Sequence, residues 1–246
     1  MRFGFVLGAL AGIGVCAAVA FVLLFVSSGG GSGPKLAANW SAWQPETTRM
    51  LDGAAEIASH IGGQYKLDDG SPLVQISASD LDTAGLDVAV QPLRSRLQFL
   101  EGEGLTYFLT GSGDKGVLRG EPSQERGRLL FREALELALY SFRYLDDVSM
   151  VAVLIPDAAE PEDAAGETAE DGRQRALFFR PGDLLPQLQV PLAETLAAKT
   201  PTAKSMTESE AARVDSLALR YLFFATIQPL GTDGRYLLLE EPAEVQ

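Results

Sequence analysis

Cysteine and histidine are almost missing from this chain: Cys16 and His60 are the single instances among 246 residues. One cysteine cannot close an intramolecular disulfide. One histidine excludes the Cys/His zinc centres and the hydrolytic metal sites that need several imidazoles. A Ser-His-Asp arrangement would have to use His60, and the chain contains no Gly-x-Ser-x-Gly turn to present a nucleophile. His60 falls near the end of an amphipathic segment, where a histidine at the surface complements the helix dipole. Phosphate-loop spacing is also lacking. The segment Gly111-Ser112-Gly113-Asp114-Lys115-Gly116 has glycines and a lysine but not Gly-x4-Gly-Lys-Ser/Thr, and it reads as a turn.

Basic residues are in short supply. Lys and Arg number 20 against 33 Asp and Glu, a formal net charge of −13. Acidity of this size disfavours nucleic acid and anionic lipid surfaces as partners. Part of it is concentrated between Asp157 and Asp171, where Glu160, Glu162, Asp163, Glu167 and Glu170 alternate with Ala, Gly and Pro. That composition has no apolar period and predicts a solvated, disordered loop over 157–174. It lacks the Asp-x-Asp-x-Asp-Gly ligand spacing of a calcium loop. The sequence therefore calls for no metal and no cofactor. Carboxylate-pair hydrolysis stays open, because with 33 acidic residues some pairs meet in any fold.

What the chain does have is an apolar run without a charge, Phe3 to Val26. A bilayer core about 30 Å thick is crossed by roughly 20 helical residues, so this run predicts one transmembrane helix. It is longer than the apolar stretch of a cleaved signal, and Phe21 to Val26 continues past the small pair Ala18 and Ala20, so an uncleaved anchor is expected. Arg2 lies before the run and the next basic residue is Lys35, which orients the N-terminus to the cytoplasm and the bulk of the chain outside. Gly4, Gly8 and Gly12 recur every fourth residue. On a helix they make one smooth stripe, a surface for packing against a copy of itself or another membrane helix. Residues 1–2 form a minimal cytoplasmic tail, and the Ser/Gly-rich residues 27–36 a flexible linker.

Residues 37–246 read as one extracytoplasmic α+β domain, with helices packed on a mixed sheet. Apolar spacing predicts a helix over 45–61 ended by Gly62-Gly63, and strands at 73–76 and around Leu86, Val88 and Val90. Leu93, Leu97 and Leu100 have helical spacing, while Thr106–Thr110 and Val117–Arg119 suggest a hairpin around the glycine-rich turn. The longest helix opens at Glu121-Pro122-Ser123 and ends near Tyr144. Strands follow at 148–155 and 176–179, then a partly helical stretch at 184–198, a helix from Thr207 to about Phe223, and a last hairpin closing at Gly231-Thr232-Asp233-Gly234. On the longest helix Glu136 lies four residues after Arg132, just inside an apolar half. This is an intrahelical ion pair at the rim of the core, and its functional counterpart is Arg132 and Glu136 as a perturbed-pKa pair at a pocket. The expected protein is a membrane-anchored, non-catalytic binding or scaffolding domain of a cell envelope. A tethered hydrolase acting on a surface polymer and a ligand-binding ectodomain are the alternatives.

Overall fold

The computed structural model describes residues 35–93, 95–113, 116–118, 123–156, 173–232 and 234–242. The expected membrane helix with Gly4, Gly8 and Gly12, the linker up to residue 34, and the acidic stretch 157–172 lie outside the described residues. Among those described, no helix is long and apolar enough to cross a membrane.

Eight strands form one mixed sheet, and the helices pack on it, as the α+β reading expects. In chain order the elements are α1 (Met50–Gly62), β1 (Gln75–Asp80), β2 (Leu86–Gln91), β3 (Gln98–Leu100), β4 (Gly104–Thr110), α2 (Gln124–Tyr144), β5 (Met150–Ile155) and β6 (Gln174–Phe179). A 3-10 turn (Pro181–Leu184) and the one-turn helices α3 (Leu185–Leu188) and α4 (Leu192–Thr195) lead to α5 (Glu208–Ala218), β7 (Leu222–Leu230) and β8 (Gly234–Glu240). The sheet order is β1-β4-β5-β6-β7-β8-β2-β3.

That order forces the sheet to curl. β3 and β4 are joined by residues 101–103 yet lie six strand spacings apart in the sheet order. Six spacings of about 4.8 Å come to about 29 Å in a flat sheet. Four chain steps from Leu100 to Gly104 reach only about 14 Å. The pairings show how the two ends meet. β1 runs antiparallel to β4 with Asp80 opposite Leu105, and β2 runs antiparallel to β3 with Val88 opposite Leu100. Together they are one long hairpin, sharply bent at 81–85 and 101–103. Its first half adds β4 in parallel to β5, and its second half adds β2 in parallel to β8. The bend needs glycine at two places. Gly85 has φ +64°, and Gly102 has φ +112° with Ser149 so close that a Cβ would lie 2.7 Å from its side chain.

Curling divides the interior in two. β5 is buried along its whole length and serves both sides. Val151, Val153 and Ile155 face the helices and join Leu177, Phe179, Leu105, Tyr107, Ile57, Ile61, Leu135 and Leu139 in a helix-to-sheet core. Met150, Ala152 and Leu154 face into the curl with Ala176, Phe178, Phe223, Ala225, Leu237, Leu239, Val88 and Leu81.

Several local expectations change. The first helix starts at Met50 rather than Pro45, and β1 occupies 75–80 rather than 73–76. Leu93, Leu97 and Leu100 are not helical: Leu100 ends β3, and Leu93 and Leu97 flank the turn before it. Helical spacing arose there because a hairpin turn interrupts a period of two. The 106–119 hairpin is also overturned, since β4 pairs with β1 and β5. The glycine-rich segment closes on itself, with the Gly111 amide donating to the Gly116 carbonyl at 2.7 Å and the Gly113 amide to Val117 at 3.0 Å. The helix opened at Thr207 ends at Ala218, because a 3-10 turn over Leu219–Tyr221 redirects the chain into β7.

Candidate functional site

The longest helix carries a cluster of ionisable side chains in the helix-to-sheet core. Ser123 caps α2 by accepting the Arg126 amide at 3.2 Å, which fixes where the helix begins. Helical spacing then places Glu136 one turn after Arg132 and Glu133, in a stretch buried from Leu129 to Ser141 but for Phe131. Two other elements complete the cluster. Tyr65 follows the glycine end of α1, and Glu210 lies in the first turn of α5, whose cap is Thr207. Arg132 is 1 % exposed, Glu133 and Tyr65 0 %, Glu136 5 % and Glu210 6 %.

Arg132 is the hub. Its Nε donates to Glu210 Oε1 at 2.8 Å, and its Nη1 to Glu136 Oε2 at 3.0 Å and to the Tyr65 hydroxyl. Its Nη2 donates to the Ala197 carbonyl at 2.7 Å. Tyr65 in turn donates to Glu136 Oε2 at 2.5 Å, and the Ala197 amide donates to Glu210 Oε1 at 2.9 Å. One guanidinium thus joins α2, α5, the end of α1 and the backbone ahead of α5. The Arg132–Glu136 pair lies deeper than the core rim expected for it, because Tyr65 and α5 close over it.

Glu133 is different. Both of its carboxyl oxygens are buried, and neither has a hydrogen-bond partner among the described residues. Burial, and then the nearby Glu136, push its carboxyl well above the ordinary carboxylate range, so it is held as the neutral acid. Burial also raises Glu136, opposed by Arg132 and Tyr65. Tyr65 is raised well above its usual value by burial and then by Glu136. For Arg132 burial pulls downward, but Tyr65, Glu136 and Glu210 more than offset it, and the guanidinium keeps its proton. The sequence lists Glu133 within the charged half of the helix. Only its position one turn ahead of Glu136 hinted that it turns inward.

The cluster is buried, and two cavities among the described residues are lined by none of its members. Its bonds tie separate elements together. His60 lies in the last turn of α1, where the sequence places it. Its ring stacks on Trp43 at 3.8 Å, and partial burial lowers its pKa. Among the described residues no group of three or more His, Cys, Asp or Glu could hold a metal ion. No family model, curated protein or solved structure matches this chain.

Proposed function

We propose that the chain is a single-pass membrane protein whose α+β domain lies outside the cytoplasm and binds or scaffolds a partner in a cell envelope without catalysing a reaction. The observation that carries this reading is the uncharged run Phe3–Val26, preceded by Arg2 and followed by a Ser/Gly-rich linker. The stripe Gly4, Gly8, Gly12 adds a helix-packing surface inside the bilayer, toward a second copy or another membrane protein.

The test is fractionation with a topology reporter. The full chain should stay with membranes after alkaline carbonate extraction, and a C-terminal alkaline phosphatase fusion should be active. Release of the chain into the soluble fraction, or an inactive fusion beside an active cytoplasmic reporter, overturns it. Replacing Gly8 by Ile should weaken span association in a membrane two-hybrid assay. Unchanged association removes the packing role of the stripe.

A further inference from the structure

A cavity of about 360 Å³ opens where the long helix begins, at the carboxyl ends of β4 and β5. β4, α2 and β5 form a βαβ unit, because β4 and β5 are parallel neighbours and α2 connects them. In such units the crevice beyond the carboxyl ends of the strands is where ligands are held. The floor and back are apolar: Ile155 from β5, with Leu118, Leu130 and Phe131. Two arginines also line the cavity, Arg126 on the first turn of α2 and Arg175 on β6.

Arg175 is the more informative of the two. It alternates along β6 with Leu177 and Phe179, which are core residues on the helix-facing side, and it pairs across the sheet with Ile155 and Phe224. A strand position facing the helices normally takes an apolar side chain. Here it takes a cation, and no ion pair joins Arg175 to another described residue. Gly127 also lines the cavity. A glycine inside a helix costs about 1 kcal/mol relative to alanine. No packing demands it, since a Cβ at Gly127 would meet no atom within 4 Å. A side chain there would stand in the cavity. The Gly111 and Gly113 amides are not donors for an anion, because they are spent on the Gly116 and Val117 carbonyls.

We propose that this cavity binds a small amphipathic anion, a carboxylate or phosphate joined to a short apolar body, with Arg175 on the anionic group and Leu118, Leu130, Phe131 and Ile155 around the apolar part. The volume suits such a ligand, at the lower end of the range for small-molecule sites. Arg175 places a cation at the cavity in an otherwise acidic protein, so selection rests on contact rather than on long-range attraction. The proposal goes beyond the anchoring reading and stands or falls without it.

The test is calorimetric titration of the purified full-length chain in a non-ionic detergent, with a detergent blank, using hexyl phosphate, hexanoate, inorganic phosphate and hexanol as probes. Hexyl phosphate or hexanoate should bind, and the tighter of the two names the anionic group. Inorganic phosphate and hexanol should each bind at least about tenfold more weakly, because each lacks one half of the recognition. Losing a charge-assisted contact in Arg175→Gln should weaken the better anion by about tenfold or more, whereas Arg175→Lys keeps the charge and should lose less. Gly127→Leu should abolish binding by filling the space. Failure of both amphipathic anions to bind, hexanol binding as tightly as they do, or equal affinity in an Arg175→Gln variant that still unfolds cooperatively would each overturn the proposal.

Discussion

The two faces of the curled sheet differ in the size of the core they bury and in what else they admit. Inside the curl, Met150, Ala152, Leu154, Phe178, Phe223, Leu237 and Leu239 close a core without an ionisable residue. Between sheet and helices, the core surrounds Arg132, Glu133, Glu136, Glu210 and Tyr65. The inner core is built from strands alone, whose backbone groups are satisfied by the ladder, so apolar contact suffices. The outer core must also fix three separate helical segments and the chain around Ala197. Apolar contact does not specify the register of one helix against another, whereas a fork of directed hydrogen bonds from one guanidinium does. The contrast teaches that the polar cluster specifies arrangement on the larger, helix-facing side, while the smaller strand core holds by apolar contact alone.

The largest effect should come from removing the hub. Arg132→Met leaves Glu136 and Glu210 buried without their cation and the Ala197 carbonyl without its donor. Loss of one partner of a buried ion pair costs about 3–5 kcal/mol. Urea unfolding at pH 7 should show that loss, and amide exchange should show α5 and the chain around Ala197 released ahead of the strands. Uniform loss across both cores would break the distinction between them. Next is Leu239→Ala, at the centre of the curl and fully buried. A truncation there should cost about 2–5 kcal/mol. The cost should be the same at pH 5 and pH 8, since no titrating group touches that core.

Glu133 sharpens the comparison through pH. Its native pKa is raised above the unfolded value of about 4.3, so over the interval between the two the native chain binds a proton that the unfolded chain has released. Stability from this group is therefore complete below the unfolded value and is lost as pH rises toward the native one. Glu133→Leu removes both the orphaned oxygens and the proton linkage. It should stabilise the domain by about 1–3 kcal/mol at pH 7. It should also flatten the decline of stability between pH 5 and pH 8. A destabilised Glu133→Leu would mean that the carboxyl is held by something other than the described residues.

Much of this arrangement could be read from the residues, and the remainder fails for identifiable reasons. The Ser123 cap, the apolar second half of the long helix and the turn at 231–234 are local features, and spacing within a few residues encodes them. The bent hairpin is not local. Its clasp of β5 at one end and β8 at the other depends on parallel pairing between segments far apart in the chain, for which no short pattern exists. Arg132 and Glu136 were legible as a pair because they share a helix. Glu210 and Tyr65 were not, since nothing in their own neighbourhoods marks them as buried partners. Arg175 was hidden by the opposite effect: on an alternating strand a charged residue next to Ala176 reads as the solvent side, yet its alternation with Leu177 and Phe179 turns it toward the helices.

The smallest predicted effect tests whether the strand core tolerates any polar group at all. Thr106 lies on β4 between Gly104 and Phe108, pointing to the curled side, and is 1 % exposed with its hydroxyl oxygen unpartnered. It is the neutral counterpart of Glu133: an orphaned buried polar atom, but one that carries no charge and titrates with nothing. Valine has nearly the same shape and a better fit to a pleated surface. Thr106→Val should therefore stabilise by about 1 kcal/mol, the desolvation cost of one unmatched hydroxyl. The gain should be identical at pH 5 and pH 8, where that of Glu133→Leu should grow with pH. Additivity of the two substitutions within about 0.5 kcal/mol would show the two cores to be energetically separate. A larger coupling would mean that β5, shared by both, transmits strain from one face of the sheet to the other.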